Sequence, residues 1–161
     1  MIKIRPSPTA DTRTCDWSSV TQETLYRSSV QHIRDVQAGL AFLARMMEKA
    51  GREHDHDKLS AIDAFHADFR TGFAQTAWWD RHRKLNRHHL TEADGIPPDL
   101  NLVDVLDHIV DCVMAGMARS GSVRPLALPD DLLQRAFQGT VALLLANVDV
   151  EPAPQSPEVK P

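Results

Sequence analysis

The sequence predicts an all-α fold, a single compact bundle of about five main helices. Three observations predict this class: long stretches without proline, apolar residues that recur every three or four positions, and the lack of a strictly alternating strand pattern. The chain has 161 residues, a length typical of one domain. Its 42% hydrophobic and 25% charged residues are typical of a globular protein.

The first two helices are predicted by regular apolar spacing. Residues 19–50 contain no proline and place side chains such as Ile33 and Leu40 at helical intervals. Gly51 is a usual residue at the end of a helix. Residues 53–69 repeat apolar side chains in the same way, so we expect a second helix there.

The remaining three helices lie on both sides of a loop that contains two prolines. Residues 72–90 predict a third helix, in which basic and histidine side chains interrupt the apolar pattern. The prolines and glycine of residues 91–101 break it. A fourth helix is expected from residue 102 to about 120, and Pro129 begins a fifth that ends near residue 148.

Proline-rich and aperiodic ends suggest the domain limits. We expect a flexible N-terminal tail at residues 1–18, a helical domain at residues 19–148, and a proline-rich C-terminal tail at residues 149–161.

Charge and cysteine usage exclude several classes of protein. The net charge of -4 argues against a general nucleic-acid coat or a binder of anionic membranes, which need a basic surface. The two cysteines, Cys15 and Cys112, predict neither a disulfide framework nor a thiolate zinc site. No apolar stretch reaches the roughly 20 residues of a membrane span. We therefore expect a cytoplasmic protein with no membrane partner.

The histidines are concentrated in one part of the chain. Six of the eight fall within 36 positions, at His54, His56, His66, His82, His88 and His89. Each of them alone is most simply interpreted as a surface residue. Together they indicate a metal site, because imidazole nitrogens are common ligands of divalent metals.

The strongest local motif is His54-Asp55-x-x-Lys58. The adjacent imidazole and carboxylate can face one cation, and one helical turn brings Lys58 to the side of Asp55, where its ammonium can meet a phosphate oxygen. His56 and Asp57 repeat the dipeptide, so spacing alone does not decide which pair binds. The position of Lys58 favours His54 and Asp55.

Further candidates lie on the first and fourth predicted helices. His32 borders the apolar stripe of the first helix, where a buried histidine with a hydrogen-bond partner is an equally good interpretation. Asp107 and Asp111 are one turn apart beside the apolar stripe of the fourth helix, and Asp111 is the deeper candidate ligand. Asp104 and His108 project further towards solvent, and we expect no role for them.

The segment from Trp78 to His89 combines two tryptophans, several cations and three imidazoles. This mixture suits recognition of a phosphate and a base, or direct contact with RNA.

These blocks, in this order, resemble the HD superfamily of metal-dependent phosphohydrolases. In detail they are similar to an uncharacterised phage and prophage family with the pattern His…His-Asp-x-x-Lys-Leu…Asn-x-His-His…Asp, matched over residues 24–120. Arg87 and Leu90 stand where that family commonly has prolines, and the Gly-Tyr-Pro element of the HD-GYP branch is missing. The matching residues are His32, His54, Asp55, Lys58, His82, His88, His89 and Asp111.

The resemblance implies a phosphohydrolase that acts on a nucleotide or another phosphate ester through a metal-activated water. One or two divalent ions (Mn, Fe, Zn, Mg or Co) are expected, and Asp55 and Lys58 are the expected catalytic residues. The implied metal ligands are His32, His54, Asp55, His82, His88, His89 and Asp111. The expected substrate-binding residues are Lys58, Arg83, Arg87 and Trp78.

Two alternatives remain open at this point. One is a catalytically inactive, metal-stabilised phage scaffold or interaction protein. The other is a nucleic-acid-binding module that uses the basic segment at residues 81–87, which the acidic total charge disfavours. The sequence also leaves a homo-oligomer open, and a phage origin would place the protein in the cytoplasm of a bacterial host.

Overall fold

The computed structural model describes residues 1–7, 9, 13, 15–74 and 77–152. The protein is mostly helical, with a minor two-stranded sheet, which confirms the predicted all-α class. No helix in the described part is long and apolar enough to cross a membrane. The elements are β1 (Ile2–Ile4), α1 (Gln22–Glu53), α2 (His56–Ser60), α3 (Ile62–Phe69), α4 (Trp78–Leu85), α5 (Leu102–Ser120), α6 (Asp130–Asn147) and β2 (Val148–Val150).

Three predicted helices differ in extent from those observed. The first does not end at Gly51, because this glycine keeps a helical backbone and α1 continues through it to Glu53. The second is divided at Ala61, whose φ of −128° lies outside the helical range, so α2 and α3 are separate helices. The third is reduced to α4, because Gly72 and Phe73 both have left-handed backbones, with φ of 67° and 65°. A helix cannot continue through consecutive left-handed residues.

The chain forms two compact units, and the first comprises Met1–Ala44 with Leu144–Pro161. Its two strands, β1 and β2, pair in parallel, and Ile2 lies opposite Val148 and is buried. The sequence analysis expected no strand at either end, because three-residue strands are too short to show an alternating pattern. Residues 153–161 of the predicted C-terminal tail lie outside the described residues.

The first unit also contains the larger part of α1, whose regular apolar side chains are exposed. Ile33, Val36 and Leu40 form what we call the apolar stripe, and Leu40 is 62% exposed and Ile33 54%. The periodicity therefore predicted the helix correctly. It did not predict burial of these positions, because an amphipathic pattern does not specify what covers its apolar face.

The second unit, Arg45–Leu143, has its own hydrophobic core. At Gly139 the helix α6 comes so close to the loop that precedes α5 that an added Cβ would lie 1.8 Å from the backbone oxygen of Leu100. Next to this contact, the hydroxyl of Thr140 accepts a hydrogen bond of 2.8 Å from the backbone N–H of Leu102. The buried core residues are Leu90, Leu100, Val105, Leu132 and Ala136.

The start of α5 is held by a polar network. The side chain of Asn101 caps the helix by accepting a hydrogen bond from Val103, and Asp104 completes the capping box. Arg87 donates to Asp104 at 2.7 Å and to Asp99 at 2.8 Å. The segment that carries the paired histidines is thereby joined to the helix that carries the late aspartates.

Candidate metal centre

Five of the predicted ligands converge within the second unit. We call His54, Asp55, His82, His88 and His89 the His–Asp cluster. These residues come from the turn after α1, from α4 and from the segment after α4, so three stretches of chain contribute to one site. The cluster consists of two overlapping groups that share Asp55, namely His54, Asp55 and His88, and Asp55, His82 and His89.

Asp55 lies at the centre of the cluster. Its backbone is left-handed, with φ of 54°, and its N–H donates to the side-chain oxygen of Asn86 at 3.1 Å. This conformation directs the carboxylate towards two imidazoles. The oxygen Oδ1 lies 3.3 Å from Nε2 of His82 and 3.6 Å from Nε2 of His88.

His82 is oriented by a second carboxylate. Its Nδ1–H donates to Asp57 at 2.9 Å, and Asn86 also donates to Asp57 at 2.9 Å. With Nδ1 occupied in this way, Nε2 faces Asp55. A histidine whose far nitrogen donates to a carboxylate is the usual arrangement around a bound metal ion.

His54 is oriented in the same manner by Asp107. Its Nδ1–H donates to Asp107 at 2.9 Å, while its Nε2 lies 3.5 Å from Asp55 and 3.6 Å from Asp111. The side chain of Asp107 is 16% exposed and that of Asp111 is 33% exposed. The prediction that Asp111 is the deeper of the two is therefore wrong, because the face of α5 that carries Asp107 turns towards His54 and His88.

Burial keeps the paired histidines neutral. Desolvation, with the nearby charges of His89 and His54, lowers the pKa of His88 to about 3. Desolvation, with the charge of His82, lowers the pKa of His89 to about 4. Neutral imidazole is the form that binds a metal ion. At neutral pH both side chains are therefore ready to act as ligands.

The acidic centre of the cluster stays ionised. Burial raises the pKa of Asp55, but the contacts with His82 and Lys58 outweigh burial and hold that pKa well below its usual range. Burial likewise lowers the pKa of His82, but the carboxylates of Asp55 and Asp57 outweigh it and raise that pKa. Both shifts show that the cluster favours positive charge at its centre.

Four buried atoms of the cluster lack a hydrogen-bond partner in the described part of the protein: Oδ1 of Asp55 and Nε2 of His82, His88 and His89. Buried polar groups in folded proteins are nearly always paired, because an unpaired one loses its interaction with water without compensation. These four atoms are also the types that coordinate divalent metals. Within each group the ligand atoms lie within 4.8 Å of one another, so the residues fit one or two metal ions.

The cluster borders a cavity of about 370 Å³. Lys58 lines it and forms an ion pair with Asp55. Arg119, from the last turn of α5, and Asp111 reach the cavity as well. Aromatic side chains of α3, the loop that follows it and α4 complete the lining.

Three predicted substrate-binding residues have other contacts. Trp78 is only 3% exposed and stacks against His82 with ring centroids 4.6 Å apart, so it supports a cluster histidine from behind. Arg83 forms ion pairs with Asp80 and Asp94 at 2.5 and 2.6 Å. Arg87 is held in the network at the start of α5 by Asp99 and Asp104, described above. Each of these side chains is therefore engaged within the protein, and its role in substrate binding stays a prediction.

His32 is not among the residues that the structure brings together. It lies on the part of α1 that belongs to the first unit, and about six helical turns separate it from Glu53 along the same helix.

The ambiguity between the two His-Asp pairs also has a structural answer. His56 is exposed and its ring contacts the backbone oxygen of Glu53, whereas Asp57 orients His82.

Two residues to which we assigned no role are buried. Asp104 accepts the hydrogen bonds of Arg87, and His108 donates from Nδ1 to the backbone oxygen of His88 at 2.9 Å. The sequence analysis gave no role to Asn86, the asparagine of the Asn-x-His-His pattern, which supports both Asp55 and Asp57. Its position four residues after His82, on the same side of a helix end, was the available signal.

No protein-family model, no curated protein and no solved structure matches the chain. The relation to the HD superfamily and to a phage family therefore stays a prediction.

Proposed function

We propose that the protein is a metal-dependent phosphohydrolase that acts on a nucleotide or another phosphate ester. The observation that carries this proposal is the set of four buried, unpaired ligand atoms around Asp55, next to a cavity that Lys58 lines. A structural metal site is normally closed, whereas a catalytic site keeps access to solvent or substrate. Here the cavity gives such access.

The residues of the chain divide the work of the reaction. Asp55, shared by both ligand groups, would hold one or two divalent ions together with His54, His82, His88 and His89. A divalent ion supplies hydroxide near neutral pH by lowering the pKa of water from 15.7 to about 7. Lys58, already at the cavity, donates to the phosphoryl oxygens and stabilises their growing charge. The water oxygen would bond to phosphorus as the ester P–O bond breaks, and the alcohol would leave with the proton that the water gives up.

Asp57 and Asp107 act through the histidines. Each accepts the Nδ1–H of a cluster histidine and so leaves Nε2 free to bind an ion. They are positioning residues, because their closest polar contacts are with His82 and His54.

Elemental analysis of the purified protein, after growth with added manganese, iron, zinc or cobalt, tests the proposal. We expect one or two bound ions per chain in the wild type, and hydrolysis of adenosine 5′-monophosphate when manganese is supplied. Asp55→Ala should lose the metal and the activity. The matched control is His56→Ala, which removes an exposed histidine outside the cluster and should keep both.

The outcomes separate the alternatives. A wild-type protein without metal after supplementation contradicts the metal site and the reaction together. Tight metal binding with no hydrolysis of any phosphate ester contradicts the enzyme and favours the metal-stabilised scaffold.

A further inference from the structure

The cavity beside the His–Asp cluster has an aromatic wall, which we define as Phe69, Phe73 and Trp79. The ring centroids of Phe69 and Phe73 lie 5.8 Å apart, and those of Phe73 and Trp79 lie 5.3 Å apart. Trp79 in turn meets His89 edge to face at 5.2 Å. The wall is therefore continuous with the cluster.

The wall is an outer layer and not part of a buried core. Behind the wall, the buried Trp78 stacks on Phe65, which also lines the cavity, with centroids 4.5 Å apart. Within the wall, Phe69 is 61% exposed, and Phe73 and Trp79 are half-buried. Packing against Trp78 does not require Phe69 to be exposed at the cavity, whereas a bound ligand would cover this ring.

The backbone at Phe73 is held in an unfavourable conformation. In the described chain only two residues other than glycine have positive φ, Asp55 and Phe73, and both line this cavity. A bulky side chain rarely adopts φ of 65°, and glycine would adopt it freely. Strain of this kind is concentrated at functional sites, where the rest of the structure maintains it.

Asp68 holds the backbone at Phe73 in this left-handed conformation. This buried residue accepts the N–H of Phe73 at its backbone oxygen, at 3.0 Å, and the N–H of Trp79 at its carboxylate, at 3.1 Å. Asp68, on α3, therefore fixes the backbone of both Phe73 and Trp79, two residues of the wall.

Two cations line the same cavity. Lys58 faces Asp55, and Arg119 forms no ion pair within the described residues. A phosphate monoester carries close to two negative charges at neutral pH, and Arg119, Lys58 and the bound ions together would balance them beside the carboxylates of Asp55 and Asp111. The volume of about 370 Å³ is at the lower end of the range for small-molecule sites.

We propose that the aromatic wall binds the base of a nucleoside monophosphate whose phosphate lies between Lys58 and Arg119 at the His–Asp cluster. This inference rests on the proposed function, because the cluster is taken as the place of the phosphate. It replaces Trp78 with Phe73 and Trp79 as the base-stacking residues, and it assigns Arg119 to the phosphate.

The test compares two substrates that differ only in the base: adenosine 5′-monophosphate and ribose 5-phosphate. With manganese, the wild type should hydrolyse the nucleotide with a kcat/KM at least about 10-fold higher, the order of magnitude that stacking of one base supplies. In Trp79→Leu and Phe73→Leu this ratio should fall towards one. Trp17→Leu, which alters an exposed tryptophan of the first unit, is the matched control and should keep the ratio.

Equal kcat/KM values for the two substrates in the wild type would contradict base binding by the aromatic wall. The proposed phosphohydrolase activity would still stand. If neither substrate is hydrolysed, calorimetry of adenosine with the metal-free protein decides separately. If the wild type binds adenosine and Trp79→Leu weakens this binding at least about 10-fold, base binding by the aromatic wall is supported even though no hydrolysis occurs. If the wild type does not bind adenosine, base binding by the wall is contradicted.

Discussion

The His–Asp cluster of the second unit and the apolar stripe of α1 in the first unit have opposite surroundings. In the cluster, polar side chains such as His82 and His88 are buried, while Leu40 of the stripe is exposed. Buried polar groups need partners, and the cluster atoms without one indicate a ligand. Exposed apolar side chains cost far less, so the stripe indicates only the helix.

The largest expected contrast is in stability. Leu132→Ala removes a fully packed core side chain of the second unit and should lower the free energy of unfolding by about 2–5 kcal/mol. Leu40→Ala, the same change on an exposed face, should lower it by no more than about 0.5 kcal/mol. Chemical denaturation measures both. Equal losses would show that the stripe is covered in solution, and the contrast between the two regions would fail.

The next contrast lies between the residues of the cluster, which face an ion, and the two carboxylates outside it that orient its histidines. Asp57→Asn and Asp107→Asn should each weaken metal binding by about 10–100-fold, because the orienting acceptor of a histidine is altered. Titration against a chelator of known affinity measures this change. Asp63→Asn, at an exposed site on α3, is the matched control. Unchanged metal affinity in both variants would contradict the orienting role of Asp57 and Asp107.

The smallest expected effect, taken per pH unit, is a pH dependence of the stability of the metal-free protein. His88 is buried and its pKa is lowered to about 3, so between about pH 6.5 and 3 the unfolded chain binds a proton there and the folded chain does not. Stability should therefore fall as the pH falls through this window, by at most about 1.4 kcal/mol per pH unit from His88. Above about pH 6.5, His88 should contribute no slope.

His88→Gln isolates this effect. The variant should show a shallower loss of unfolding free energy from pH 6.5 downwards than the wild type, in thermal or urea unfolding with a chelator present. Identical slopes would mean that His88 is not held neutral by its surroundings.

Helix α5 shows how much of the structure the sequence predicts. Its apolar spacing predicted residue 102 to about 120, and the helix runs from Leu102 to Ser120. The same spacing led us to place Asp104 and His108 in solvent. Both are buried, because Arg87 and the backbone of His88 approach that face from distant segments.

The cluster likewise has contacts that the sequence predicts and contacts that only the tertiary structure determines. Adjacent residues such as His54 and Asp55 could be paired from the sequence, and so could Lys58 one turn later, because local helical geometry decides their proximity. The contact of His54 with Asp107 spans 53 positions, and no local period specifies it. His32 was included for the order of the motif, but α1 continues without interruption from its position to Glu53.

By itself the sequence determined the helical class, most helix positions and the His54-Asp55-x-x-Lys58 motif, because helix periodicity and capping act over a few residues. The tertiary structure decided which carboxylate orients which imidazole and which tryptophan lines the cavity. It also decided that the apolar stripe of α1 is exposed while polar groups in the second unit are buried. These features depend on which distant segments meet, and a pattern that repeats every 3.6 residues carries no information about that.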